Sequence, residues 1–167
     1  MVHLRRPRWP VRHSSLTVMP LHLPDETATR ALGAALARAI EPGIVIFLSG
    51  DLGAGKTTLV RGLIRGLGYA GKVKSPTFSL VEPYVFSRLN LYHFDLYRIK
   101  SVTEWDDGGF REYFGGDAVC LVEWPEKALG VLPREDLRMR LVVHDDGREV
   151  TIEATTELGE RCRQQLL

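Results

Sequence analysis

Ile44-Val45-Ile46-Phe47-Leu48-Ser49-Gly50-Asp51-Leu52-Gly53-Ala54-Gly55-Lys56-Thr57 decides the fold. Its first five residues form a continuous β-branched, aliphatic and aromatic run, the composition of a strand buried on both faces. Gly50 to Thr57 then satisfies G-x-x-x-x-G-K-[ST] in full. Glycines let the backbone turn tightly enough for successive N–H groups to face a chain of phosphates. From Lys56 to about Leu67 the pattern is helical and is closed by Gly68, so the positive end of a helix faces into the turn. Lys56 has the reach for β- and γ-phosphates, and the Thr57 hydroxyl is of the kind that ligates Mg²⁺. Average composition would place this octet in a chain of such length about once in two hundred. With a strand before it and a helix after it, the octet reads as a P-loop that takes a nucleoside triphosphate with Mg²⁺.

Upstream, Asp25 or a neighbour caps a helix starting near Glu26. Ala28, Leu32, Ala35, Leu36, Ala39 and Ile40 share one of its faces, and Pro42-Gly43 ends it. Downstream, Phe78 to Phe86 reads as a strand bent or placed at an edge by Pro83. Leu89 to Leu96 alternates, with Leu91, His93 and Asp95 on one face and Tyr92, Phe94 and Leu96 on the other. A short helix is predicted within 103–114, weakened by Gly108-Gly109. Ala118 to Val122 is a second buried strand, ending at Glu123-Trp124-Pro125. Residues 137–143 and 148–154 flank His144-Asp145-Asp146-Gly147 as a hairpin, and a polar helix closes the chain. The predicted order is helix, strand, P-loop, helix, then several strands with short helices. This is an α/β protein, a three-layer P-loop NTPase fold with a mixed, largely parallel central sheet flanked by helices.

The 167 residues suit one domain with one sizeable core, and 44% hydrophobic with 26% charged residues is ordinary globular usage. No run of about 18 apolar residues occurs, so no membrane span is expected. Two cysteines are too few for a disulfide framework; Cys120 lies in an apolar run as a small buried hydrophobe, and a reducing, cytoplasmic compartment is expected. Residues 1–13 carry Arg5, Arg6, Arg8 and Arg12 and no acid, and removing those four charges takes the chain from +1 to −3. The sequence thus divides into a basic leader, 1–18, expected to be disordered, and a mildly acidic P-loop domain, 19–167. The leader's charge also suits an RNA-touching arm, and a start codon misassigned upstream of Met19 accounts for it equally.

A P-loop site needs a carboxylate near Mg²⁺, commonly at the end of a neighbouring apolar strand. Glu123, ending Ala118-Val119-Cys120-Leu121-Val122, is the first candidate, and Asp95, ending the alternating strand, is the second. Ser75-Pro76-Thr77-Phe78 follows the P-loop helix, where a hydroxyl-bearing loop can sense the γ-phosphate, or where Pro76 simply turns the chain. Trp124 reads as a core aromatic or as a wall of the nucleotide pocket. His93 reads as a structural histidine with its hydrogen bonds satisfied.

Four segments, GDLGAGKTT at 50–58, KSPTF at 74–78, YHFDLYR at 92–98 and LVEWPE at 121–126, together resemble the TsaE (formerly YjeE) family. These are small P-loop ATPases of bacterial tRNA threonylcarbamoyladenosine biosynthesis. The resemblance runs from about Met19 almost to the end and leaves the arginine-rich leader outside. It implies binding of ATP and Mg²⁺ and action with the TsaB and TsaD proteins. TsaD transfers the threonylcarbamoyl group to the adenosine next to the anticodon of tRNAs that read ANN codons. The TsaE-like chain would hydrolyse ATP to keep that complex cycling and meet tRNA only through it. By motif match, Asp51, Leu52, Gly53, Ala54, Gly55, Lys56, Thr57 and Thr58 would surround the phosphates, and Thr57 with Glu123 would hold Mg²⁺. Lys56, Glu123, Asp95 and Thr77 would form the catalytic side, and Glu26 and Arg148 would approach the nucleotide. Val102 to Gly109 departs from the family pattern, which has a more apolar helix before a glycine.

Two other classes remain open on the sequence. A small-molecule kinase would need an acceptor pocket and an arginine-bearing lid, for which Arg98 to Arg111 is the one short stretch available. An RNA-binding module with regulatory nucleotide binding would need a basic surface that the acidic 19–167 region lacks.

Overall fold

The computed structural model describes residues 18–76 and 78–166. The expected leader therefore lies, except for Val18, outside the described residues, as does Thr77.

Before the first helix comes a strand that the sequence did not announce, β1 (Met19–Leu23). Pro20 interrupts its alternation, and among the described residues its one ladder is antiparallel to a strand far downstream, Leu23 opposite Arg148. Helix α1 (Glu26–Ala39) begins as expected: Asp25 Oδ1 accepts the Ala28 N–H at 2.8 Å, with Glu26 in the first turn and Arg38 in the last, which suits the helix dipole. Strand β2 (Val45–Ser49) is buried along almost its whole length and leads through residues 50–55 into α2 (Lys56–Gly66).

Then come β3 (Val81–Val85), β4 (Asn90–Asp95), α3 (Val102–Asp107), β5 (Ala118–Glu123), β6 (Leu137–His144), β7 (Gly147–Ala154) and α4 (Glu157–Gln164). Two short 3-10 helices, Phe110–Tyr113 and Pro125–Ala128, fill the gaps. The strand expected from Phe78 starts only at Val81, because Leu80 adopts a left-handed φ of 64° and turns the chain. Pro83 lies on β3, which pairs with β4 alone at the sheet edge, where a missing N–H is tolerated.

The seven strands form one mixed sheet in the order β1-β7-β6-β2-β5-β4-β3. The four central strands, β6-β2-β5-β4, run parallel, and antiparallel ladders flank them on both sides. On one face Ile46, Leu48, Leu91, Leu121, Met139 and Ile152 pack under α1, α2 and α4. On the other, Phe47, Phe94 and Val122 pack with Trp105 of α3 and with Phe110 and Phe114. The architecture is the expected three-layer α/β arrangement. Asp136 ties its elements together: its carboxylate accepts from Val45 N at 2.8 Å and from the α4-capping Thr156 at 2.6 Å.

Helices α1 and α2 cross at glycines. A Cβ on Gly33 would overlap the Leu59 carbonyl oxygen, and one on Gly62 would overlap that of Arg30. Neither glycine has a positive φ, so helix propensity alone would favour alanine by about 1 kcal/mol at either position. The overlap reverses that preference. Gly33→Ala or Gly62→Ala is expected to lower unfolding free energy by about 1–3 kcal/mol in urea titration.

Candidate functional site

Parallel pairing delivers the side chains. With β2 between β5 and β6, Leu48 stands opposite Glu123, and Asp95 at the end of β4 also stands opposite Glu123. Three strand ends thus meet where residues 50–55 turn into α2. A cleft of about 510 Å³ opens there.

The turn is glycine-built for two distinct reasons. Gly50 (φ 149°) lies so close to β6 that a Cβ would be 2.6 Å from the Leu141 carbonyl oxygen. Gly55 combines a φ of 103° with the Arg148 guanidinium pressed against it. Gly55 is the N-cap of α2 and no side chain caps that helix, so its first N–H groups are left for an anion to bind.

Lys56 is buried, and its Nζ donates to the carbonyl oxygens of Gly50 and of Asp51, the latter at 3.0 Å. The ammonium also lies 4.2 Å from the centroid of the Trp124 ring. Burial lowers its pKa from the ordinary lysine value, with Glu123 and other nearby carboxylates opposing the shift. Thr57 Oγ1 donates to Glu123 Oε1 at 3.0 Å. Glu123 is buried; burial alone would raise its carboxyl, but His93, Thr57 and Lys56 together hold it below the ordinary range. Burial raises the neighbouring Asp95 carboxyl, and Glu123 adds to the rise against the Tyr97 N–H that donates to Asp95 Oδ1 at 3.0 Å.

The cleft brings together nearly all the residues expected from the sequence. Leu52, Gly53, Ala54, Gly55, Lys56, Thr57 and Thr58 line it, as do Glu26, Asp95, Glu123 and Arg148. Asp51 is not in the lining and takes part through its carbonyl oxygen. Arg148 Nη1 donates to the Ala54 carbonyl at 3.2 Å, and exposed Glu26 pairs with Arg30. Thr77 falls outside the described residues, though Ser75 two positions earlier lines the cleft.

Trp124 does both: half-buried and in a left-handed conformation (φ 56°), it lines the cleft and packs against the aromatic side of the core. Tyr97, which sequence reasoning missed, packs against it with ring centroids 5.0 Å apart; its signal was its place in YHFDLYR. His93 corrects an expectation: it is fully buried, but neither ring nitrogen has a hydrogen-bond partner among the described residues.

Chemically, a hydroxyl and an ionised carboxylate already in contact are hard oxygen donors suited to Mg²⁺, which commonly takes one or two protein ligands and completes its shell with phosphate and water. Among the described residues no group of three or more His, Cys, Asp or Glu could hold a metal ion, so a cation here would rely on such outside ligands. The buried ammonium, now satisfied by two backbone carbonyls, and the uncapped helix start fit a polyphosphate.

The family model described as "Threonylcarbamoyl adenosine biosynthesis protein TsaE" matches residues 23–150. The tRNA threonylcarbamoyladenosine biosynthesis protein TsaE of Haemophilus influenzae is 43% identical over 144 residues, covering 83% of this chain and 91% of that protein. The protein of the same name from Bacillus subtilis is 42% identical over 146 residues, covering 86% and 89%. The crystal structure of Bacillus subtilis YdiB superposes with a TM-score of 0.76 at 34% identity, covering 92% of this chain and 97% of that one.

Gly55→Ala is expected to lower unfolding free energy by about 1–3 kcal/mol, from left-handed backbone strain joined to the Arg148 overlap. Arg148→Ala removes only the overlap. In a double-mutant cycle followed by urea unfolding, the Gly55→Ala penalty should therefore shrink in the Arg148→Ala background without vanishing.

Proposed function

The chain belongs to the TsaE family, and from that premise we propose that it binds and hydrolyses ATP in support of threonylcarbamoyl modification of tRNA. The modified base is the adenosine next to the anticodon in tRNAs that read ANN codons. The chain acts with TsaD and TsaB, leaves the transfer to TsaD, and meets tRNA through the complex. One observation carries the nucleotide half of this reading: Lys56, Thr57 and Glu123 converge at the uncapped start of α2, in one cleft.

In this reading the amides of residues 51–57 and Lys56 hold the phosphates, and Thr57 with Glu123 holds Mg²⁺. When bound, the ion would supply charge neutralisation to the phosphates. Asp95, which lines the cleft in line with Glu123, would orient an attacking water or accept its proton. Thr77 belongs to the same catalytic side by its motif. Glu26 and Arg148, at the cleft wall, would approach the nucleotide.

Slow turnover by the isolated chain follows from how its arginines are engaged. Arg148 is bonded to the Ala54 carbonyl, and the Arg98 guanidinium lies 4.8 Å from the Phe78 ring centroid. Arg148 is committed to the turn, while Arg98 lines the cleft from an exposed position held only by a weak surface contact, and a partner that orders or supplements it would accelerate hydrolysis. Among the described residues no helix is long and apolar enough to cross a membrane, and both cysteines are free and buried, with Cys120 and Cys162 thiols pushed up to about 12 by burial. A cytoplasmic site of action suits both facts.

The test is ATP turnover by the protein alone and with TsaB, TsaD and tRNA. Stimulation by the partners is expected, and Glu123→Gln should abolish at least 90% of it. Lys56→Ala should weaken ATP binding about 10- to 100-fold in titration calorimetry, the value of a charge-assisted contact. Confirmed complex formation without stimulation would overturn the reading, and phosphorylation of a metabolite in an acceptor screen would replace it with a kinase.

A further inference from the structure

His93 is an anomaly in its layer. Its neighbours on the α2-facing side of the sheet are Leu91 along β4, Leu121 opposite it on β5, and Ile46 in the same row on β2. A leucine at position 93 would continue that surface. The imidazole instead is fully buried, and both Nδ1 and Nε2 lack a hydrogen-bond partner among the described residues. A buried polar group left unpaired costs about 1–3 kcal/mol, so packing does not explain a histidine here.

What the ring does face is the Glu123 carboxylate. His93 Nε2 stands 3.6 Å from Glu123 Oε2, both side chains being out of contact with solvent. The other oxygen, Oε1, is the nearer to Thr57 Oγ1, at 3.0 Å against 3.4 Å for Oε2. The carboxylate is thus bracketed, by the hydroxyl at the start of α2 on one side and by the imidazole from within the sheet on the other. Closing the Nε2–Oε2 gap to hydrogen-bond length takes a shift of only about half an ångström.

We propose that His93 is the positioning residue for the metal-binding carboxylate: its Nε2–H holds Glu123 Oε2 from inside the sheet and leaves Oε1, beside Thr57, to serve the divalent cation. This rests on the reading of Thr57 and Glu123 as the cation's protein ligands. Groups that orient a ligating carboxylate typically contribute 10- to 100-fold to metal affinity. The hydrogen bond that matters is directional and needs a donor at the Nε2 position. Side-chain bulk alone does not supply it.

The experiment measures Mn²⁺ binding to the ATP-loaded protein by electron paramagnetic resonance, as a stand-in for Mg²⁺, and fluorescent ATP analogue binding in excess EDTA. His93→Leu removes the donor and keeps the apolar surface; His93→Gln restores an amide N–H at the Nε2 position. The expected result is a 10-fold or greater loss of Mn²⁺ affinity in His93→Leu, substantial recovery in His93→Gln, and metal-free nucleotide affinity within about 2-fold of the unsubstituted protein in both. Three results would overturn the proposal. They are unchanged Mn²⁺ affinity in His93→Leu, equal loss in both variants, and a parallel loss of metal-free nucleotide binding, which would mark a packing role. An unsubstituted protein that binds no Mn²⁺ with ATP would instead remove the metal reading on which the proposal stands.

Discussion

The parallel insertion of β2 between β5 and β6 is the constraint on which the rest of the structure depends. Parallel strands end at the same edge of a sheet, so the chain leaving β2 emerges beside the last residues of β5. That geometry sets Thr57, the second residue of α2, against Glu123 at 3.0 Å across 66 residues of sequence. An antiparallel neighbour would have carried Glu123 to the opposite edge. The adjoining β4, parallel as well, brings Asp95 and His93 into the same neighbourhood. Strand direction thus places the two carboxylates of the cleft, and the glycine-rich turn brings Lys56 and Thr57 of α2 to meet them.

Packing then makes the placement rigid. The α1–α2 crossing at Gly33 and Gly62 is too close for any other side chain, and it presses α2 onto the face that carries Leu48, Leu91 and Leu121. On the opposite face, Trp105 and Phe94 form the centre of an aromatic cluster with Phe110 and Phe114. Helix α3 contributes to that cluster one fully buried indole, the only buried residue of its six. Close-packed interiors are barely compressible, so the two layers hold the strand ends from both faces.

Much of this was legible in the sequence because the signals were local. The run from Ile44, the octet 50–57 and the apolar strand ending at Glu123 each follow from composition and spacing within about ten residues. Asp25 as a cap and Pro83 on an edge strand were equally local. What escaped was set by long-range pairing or by single backbone angles. Strand β1 carries a proline and owes its existence to β7, and Leu80 turns the chain through one left-handed φ that no leucine advertises. Tyr97 lines the cleft and meets the ring of Trp124, whose left-handed φ of 56° no sequence signal marks. Alternation put His93 on the correct face of β4, but only the three-dimensional register shows that its ring meets a carboxylate and no satisfying partner.

The strand order also governs how the molecule comes into being. The central strand, made early, finds both of its ladder partners in segments beginning at residues 118 and 137, and the first strand waits for one beginning at 147. Pairings this distant must meet their loop-closure entropy before any contact offsets it, which slows folding relative to a chain of local hairpins. During synthesis, α1, β2 and the glycine-rich turn leave the ribosome long before Glu123 exists. Until the last third of the chain emerges, β2 has no strand to pair with on either side, and its apolar edges are open to other chains. The cleft is therefore among the last features to be completed, and the nascent chain is most exposed to aggregation just before it forms.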